Sequence, residues 1–149
     1  MKITRWILTL AATLIAGSYL SSAWTADAVD FKKVAVEVNK NDAILLDVRE
    51  ISELQEEGLA KGALWLPNSE IRIASKGWEA FLRQTPKDKK IYIYCRSGGR
   101  AGQVQQRLKD KGYLSVINIG GLKDWKAQGL PTIPFGSQKG GPKPNDGKD

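Results

Sequence analysis

Four short apolar runs organise this chain: AILLDV at 43–48, GALWLP at 62–67, KIYIYC at 90–95 and SVINI at 115–119. The first is an apolar run that stops at a charge, as expected of a buried parallel strand, and the third is rich in β-formers. Segments with helical patterning lie around them. DFKKVAVEVNKN (30–41) starts at Asp30 as a cap and carries Phe31, Val34, Val36 and Val38. ISELQEEG (51–58) takes Ser52 as its cap and Gly58 as its stop. NSEIRIASKGWEAFLRQT (68–85) is mostly helical with a break near Gly77, RAGQVQQRLKDKG (100–112) ends in Lys-Gly, and GLKDWKAQGLP (121–131) stops at Gly and Pro. This alternation predicts an α/β fold with a small parallel sheet flanked by helices on both faces.

The N-terminus carries a different pattern. Lys2 and Arg5 precede an apolar stretch from Trp6 to Leu20, and small residues follow, which is the three-part layout of a secretory signal. Cleavage after Ala23, Ala26 or Ala28 suits it, and residues 1–23 are assigned to the leader. The competing reading is an uncleaved anchor, because Trp6 to Trp24 is 19 residues, just enough to span a bilayer. Gly17, Ser18, Ser21 and Ser22 weaken that span, so the expectation is a periplasmic protein with no membrane attachment after cleavage. The full chain has 23 basic and 16 acidic residues and a net charge of +7, which falls to +5 without Lys2 and Arg5. The basic residues are scattered rather than gathered in a stripe, so a solvated surface explains them better than nucleic-acid binding. The remaining length suits one small domain, placed at 30–135. Beyond it, GSQKGGPKPNDGKD (136–149) has no aliphatic or aromatic side chain to bury and reads as a disordered basic tail.

Two counts narrow the chemistry: one cysteine, Cys95, and no histidine. A disulfide within the chain is impossible. A Cys/His zinc site lacks its ligands, and Ser–His or Cys–His catalysis lacks its base. Yet Cys95 ends a strand and is followed at once by Arg96, Ser97, Gly98, Gly99 and Arg100. In open α/β sheets, ligands bind at the carboxyl ends of strands. Small residues there let backbone N–H groups converge, and the N-terminus of the next helix adds to the anion site they form. A thiol in that position is held as thiolate, with Arg96 and Arg100 strengthening the effect, and the expectation is a low-pKa, exposed, nucleophilic sulfur. The competing view, a small buried hydrophobe closing a strand, leaves the two glycines unexplained.

Four segments then stand in a telling order: LLDVRE (45–50), GALWLPNSEI (62–71), IYIYCRSGGRAGQVQQRLKDKGY (91–113) and VINIGGLKDWKAQGLP (116–131). Together they resemble the single-domain rhodaneses, thiosulfate sulfurtransferases of the periplasmic phage-shock-protein type, over residues 30–135. The resemblance implies a rhodanese-like three-layer domain and needs no metal or cofactor. It implies that Cys95 accepts a sulfane sulfur and becomes a persulfide. Arg96, Ser97, Gly98, Gly99 and Arg100 would form the loop that holds this persulfide and the incoming anion. Sulfurtransferases of the family space the cysteine and the loop-closing residue as C-x4-R, which is Cys95 to Arg100 here. Phosphatases of the same fold use one residue more, and Ala101 stands where their arginine belongs. The chain departs from the family at Leu59, where histidine is usual, a change that bears on packing rather than chemistry. Asp47 and Arg49 are expected as a structural ion pair near the loop. Trp125 is expected in the core, and Trp65 is a weaker candidate for lining the pocket. Glu70 and Arg72 are either pocket rim or a solvated helix face.

The expected reaction has two halves: thiosulfate, or a similar sulfane donor, loads Cys95, and cyanide or an external thiol removes the sulfur. With no second cysteine, the acceptor has to come from outside the chain. Two rivals remain: a non-enzymatic sulfane carrier or interaction module serving a partner protein, and a thiol-redox or oxyanion-reducing enzyme. The missing resolving cysteine counts against the second.

Overall fold

The computed structural model describes residues 28–137; the leader expected at 1–23 and most of the tail lie outside these residues. Asp30 opens the fold by accepting a hydrogen bond from the Lys33 amide at 3.0 Å, capping α1 (Phe31–Asn39), which buries Val34 and Val38. The chain continues through β1 (Ala43–Asp47), α2 (Ile51–Glu57), β2 (Leu59–Ala60) and β3 (Leu64–Trp65). Then come α3 (Asn68–Arg72), α4 (Lys76–Gln84), β4 (Lys90–Cys95), α5 (Gly99–Asp110), β5 (Val116–Gly121), α6 (Leu122–Ala127) and β6 (Thr132–Ile133).

The main sheet is parallel throughout, in the order β3-β1-β4-β5. Every residue of β4 from Ile91 to Cys95 is buried, because both faces of the strand are covered. Alternate side chains divide the core in two. Leu45, Tyr92 and Tyr94 pack with Val34, Leu54, Leu122 and Trp125 from α1, α2 and α6. On the opposite face, Leu46, Ile91, Ile93 and Cys95 pack with Ile71, Trp78, Val104 and Leu108 from α3, α4 and α5. The expected three-layer α/β architecture is what the chain adopts. Among the described residues, no helix is long and apolar enough to cross a membrane.

Two local expectations need correction, and a third holds. Ser52 does not cap α2. Glu50 occupies that position, and the Glu53 carboxylate accepts from the Glu50 amide at 3.0 Å, closing the first turn from the other side. The helical stretch after Pro67 breaks near Gly77 as expected, between Arg72 and Lys76. Ala74 has φ 52°, and Ser75 starts α4 afresh by accepting from the Trp78 amide at 3.2 Å. The strand read at 62–67 shortens to Leu64–Trp65, while β2 pairs antiparallel with β6, Leu59 against Ile133 and Ala60 against Thr132. Two-residue strands leave no period for a sequence pattern to register.

Candidate active site

The parallel sheet ends its strands at one edge, and Cys95 is the last residue of β4 there. Only Arg96, Ser97 and Gly98 separate it from α5. Gly98 caps that helix with φ 94°, a left-handed conformation that glycine adopts at little cost. This turn folds the loop back over the sulfur, and the Gly98 amide donates to Cys95 Sγ at 3.1 Å. Burial alone pushes the thiol up. The nearby amides of Ala101, Ser97, Gly98 and Arg100 outweigh burial and leave the thiol below its ordinary value. The expected exposed sulfur is not found: Cys95 is only 1% exposed, because it ends a strand covered on both faces, so these donors act on a sulfur largely shielded from water. The result is a thiol with a lowered pKa at the base of a tight turn, made without a histidine.

The end of β5 holds the turn in shape. Asn118 Nδ2 donates to the Gly98 carbonyl at 2.9 Å, and Asn118 Oδ1 accepts from the Gly120 amide at 2.9 Å. Pairing slips between Ile93 and Cys95, which brings Gly121 opposite Cys95. Gly121 packs so closely that a Cβ there would sit 2.2 Å from the Arg96 carbonyl oxygen. The Gly-Gly of the closing segment is therefore a close-approach device that sets the height of the loop. Asn118 escaped the sequence reading; its only signal was one amide side chain inside an otherwise apolar strand.

The two loop arginines differ in their surroundings. Arg96 is exposed, and among the described residues it has no ion-pair partner. Arg100 is clamped by Glu53 through a fork, Nη1 to Oε2 at 2.6 Å and Nη2 to Oε1 at 2.7 Å. The Arg100 guanidinium holds the Glu53 carboxyl below the usual range, and Glu53 in return pushes Arg100 up. Nothing in the sequence reading foresaw Glu53, whose acidic neighbours look like an ordinary helix face.

Asp47 and Arg49 are 0% and 1% exposed and form a buried ion pair, with Arg49 Nη2 2.7 Å from Asp47 Oδ2. Arg49 Nη2 also donates to the Gly58 carbonyl at 2.6 Å, and the Trp65 indole donates to the Arg49 carbonyl at 2.8 Å. The guanidinium lies 5.7 Å from the Tyr94 ring centroid, and the Tyr94 hydroxyl accepts from the Ala60 amide. Tyr94 belongs to the core on the opposite side of the sheet from Cys95. The pair thus ties α2 and β2 to the sheet behind the loop. Trp65 joins it there, edge-on to Phe135 with ring centroids 5.2 Å apart, and Trp125 is buried core. Glu70 accepts from the Ser75 hydroxyl at 3.0 Å, and Arg72 is exposed. An open cavity of about 620 Å³ is lined by residues of α2 and by Thr132 to Phe135, none of them in the Cys95 loop.

The family described as the Rhodanese-like domain matches residues 30–128. A sulfurtransferase of Allochromatium vinosum is 37% identical over 93 residues, 62% of this chain and 79% of that protein. The thiosulfate sulfurtransferase PspE of Escherichia coli is 34% identical over 80 residues, covering 53% of this chain and 70% of that one. The solved human single-domain sulfurtransferase TSTD1 superposes with a TM-score of 0.54 at 24% identity, over 65% of this chain and 92% of that one, a likeness of fold. With its parallel sheet, its cysteine at the carboxyl end of β4 and this match, the chain belongs to the rhodanese-like domain family of sulfurtransferases.

Proposed function

We propose that this protein moves sulfane sulfur through a persulfide on Cys95, with thiosulfate or a similar donor supplying the sulfur. The observation that supports this reading is the Gly98 amide donating to Cys95 Sγ at 3.1 Å where the left-handed turn leads into α5. In the first half-reaction, the Cys95 thiolate attacks the outer sulfur of thiosulfate. A new S–S bond forms, the old one breaks, and sulfite leaves with the electron pair. Cys95 now bears a persulfide anion, and the same amides that held the thiolate are placed to hold its terminal sulfur. In the second half, cyanide or an external thiolate attacks that sulfur and departs as thiocyanate or a new persulfide, and Cys95 thiolate is restored. This is covalent ping-pong catalysis. Asp47 and Arg49 take the supporting part, holding the strand ends behind the loop.

Mass spectrometry of protein treated with thiosulfate should find one added sulfur atom on the peptide containing Cys95. An unmodified peptide, with an ordinary alkylation profile for the thiol, would overturn the reading. The lone cysteine also fits a sulfur carrier, which loads equally well but hands its sulfur only to a specific partner. Steady thiosulfate-to-cyanide turnover, abolished by Cys95→Ser, selects the enzyme; a stable persulfide with negligible turnover selects the carrier. We place the protein in the periplasm after removal of residues 1–23, with the folded unit at 30–135. N-terminal sequencing of exported protein tests the first boundary.

A further inference from the structure

The charge on Arg100 is largely cancelled. Its guanidinium meets two carboxylates brought by the start of α2, while Arg96 has no ion-pair partner among the described residues. Glu53 forks onto Arg100 at 2.6 and 2.7 Å. Glu50 also acts on Arg100, while its own oxygens accept from the Ser69 amide at 3.1 Å and the Ser69 hydroxyl at 2.7 Å. The nucleophile is itself an anion. An incoming donor with two negative charges is repelled by that thiolate twice as strongly as a donor with one, and gains twice as much from any unbalanced cation. How far Arg100 is neutralised therefore decides which donor charge the site prefers.

We propose that Glu53 is a specificity-determining residue: by neutralising Arg100 it tunes the Cys95 loop toward singly charged sulfane donors and away from doubly charged ones. The inference rests on the persulfide reading of Cys95 given above. The pair thiosulfate and methanethiosulfonate isolates the effect, because a methyl group replaces one charged oxygen and the outer sulfur is unchanged. With methanethiosulfonate, the Cys95 thiolate bonds to the outer sulfur, the S–S bond breaks, and methanesulfinate leaves with the electron pair. Charge and atoms balance as they do with thiosulfate, and no oxidant is needed.

The test measures kcat/KM for both donors in the wild-type chain and in Glu53→Gln, which keeps an acceptor for Arg100 and for the Glu50 amide but loses the charge. The gain expected for thiosulfate is the square of that for methanethiosulfonate, of the order of tenfold against threefold. Glu79→Gln is the control, since Glu79 pairs with Arg83 on the exposed face of α4 and its loss changes net charge equally. It should leave the donor ratio where it was. Glu50→Gln, a second variant should the first fold poorly, is expected to shift the ratio in the same direction by a smaller factor. An unmoved ratio, or an equal loss with both donors, would overturn the proposal and reduce Glu53 to a clamp. If neither donor loads wild-type Cys95, the sulfurtransferase reading fails and takes this one with it. Normal turnover with an unmoved ratio sinks only the specificity claim.

Discussion

Asp47 and Arg49 form one forked ion pair, with side chains 0% and 1% exposed; Glu53 and Arg100 form another, with side chains 21% and 27% exposed. Both join an arginine to a carboxylate close to the end of the central sheet. The first lies behind the loop, with its hydrogen bonds spent on Gly58 and on Trp65. It is also cut off from water, so removing either partner strands a charge. The second sits at the mouth, where solvent screens it and neither partner depends on the other for survival. Similar chemistry therefore does two jobs: in the dry site it holds the fold, and in the wet site it sets the field felt by an approaching anion.

The contrast can be broken from the sulfur outward. Cys95→Ser, which changes neither pair, should abolish sulfur transfer while leaving the thermal transition nearly intact, as a cyanide assay and circular dichroism would show. Arg49→Leu leaves the Asp47 carboxylate buried without its counter-ion, and should cost about 3–5 kcal/mol by urea denaturation. Activity in that variant should fall in step with the folded fraction rather than through any change in donor preference. Gly121→Ala forces a methyl group against the Arg96 carbonyl and should cost roughly 1–3 kcal/mol. Because it lifts the loop from Sγ, it should also move the pH midpoint of Cys95 alkylation upward. Glu53→Gln should change stability by no more than about 1 kcal/mol, the range of a partly exposed pair. A loss as large as that of Arg49→Leu would erase the distinction drawn between the two pairs.

The smallest effect is a shift in titration. In the folded chain the thiol ionises below its ordinary value, so alkylation by iodoacetamide should stay fast at pH values where a free cysteine has slowed. Glu53→Gln should lower that midpoint further, since Arg100 then acts on the thiolate unopposed. The sign carries over to stability. A thiol with a depressed folded pKa contributes stability above its unfolded value and loses it as pH falls through the folded one. Replacing Cys95 with Ser should flatten the stability curve across that window.

Much of this was legible in the order of residues. The short apolar runs announced the strands β1, β4 and β5, because a strand buried on both faces has no polar alternation to disguise it. The glycine-rich stretch after the only cysteine marked the tight turn at the end of β4, because that turn needs Gly98 in a conformation that side chains resist. Caps were harder to read. Ser52 is the residue type that caps favour, yet the helix starts after Glu50, where Glu53 reaches back to the Glu50 amide.

The sequence by itself determined the alternation of strand and helix, the thiol and the loop around it, since these depend on periodicity and on conformational preferences within a few residues. Only the tertiary structure decided that Glu53 meets Arg100 across 47 positions, that Asn118 props the Gly98 carbonyl across 20, and that β2 finds β6. Those contacts arise because parallel strands deliver their carboxyl ends to one edge of the sheet, so residues far apart in the chain are gathered there by topology rather than by any local pattern.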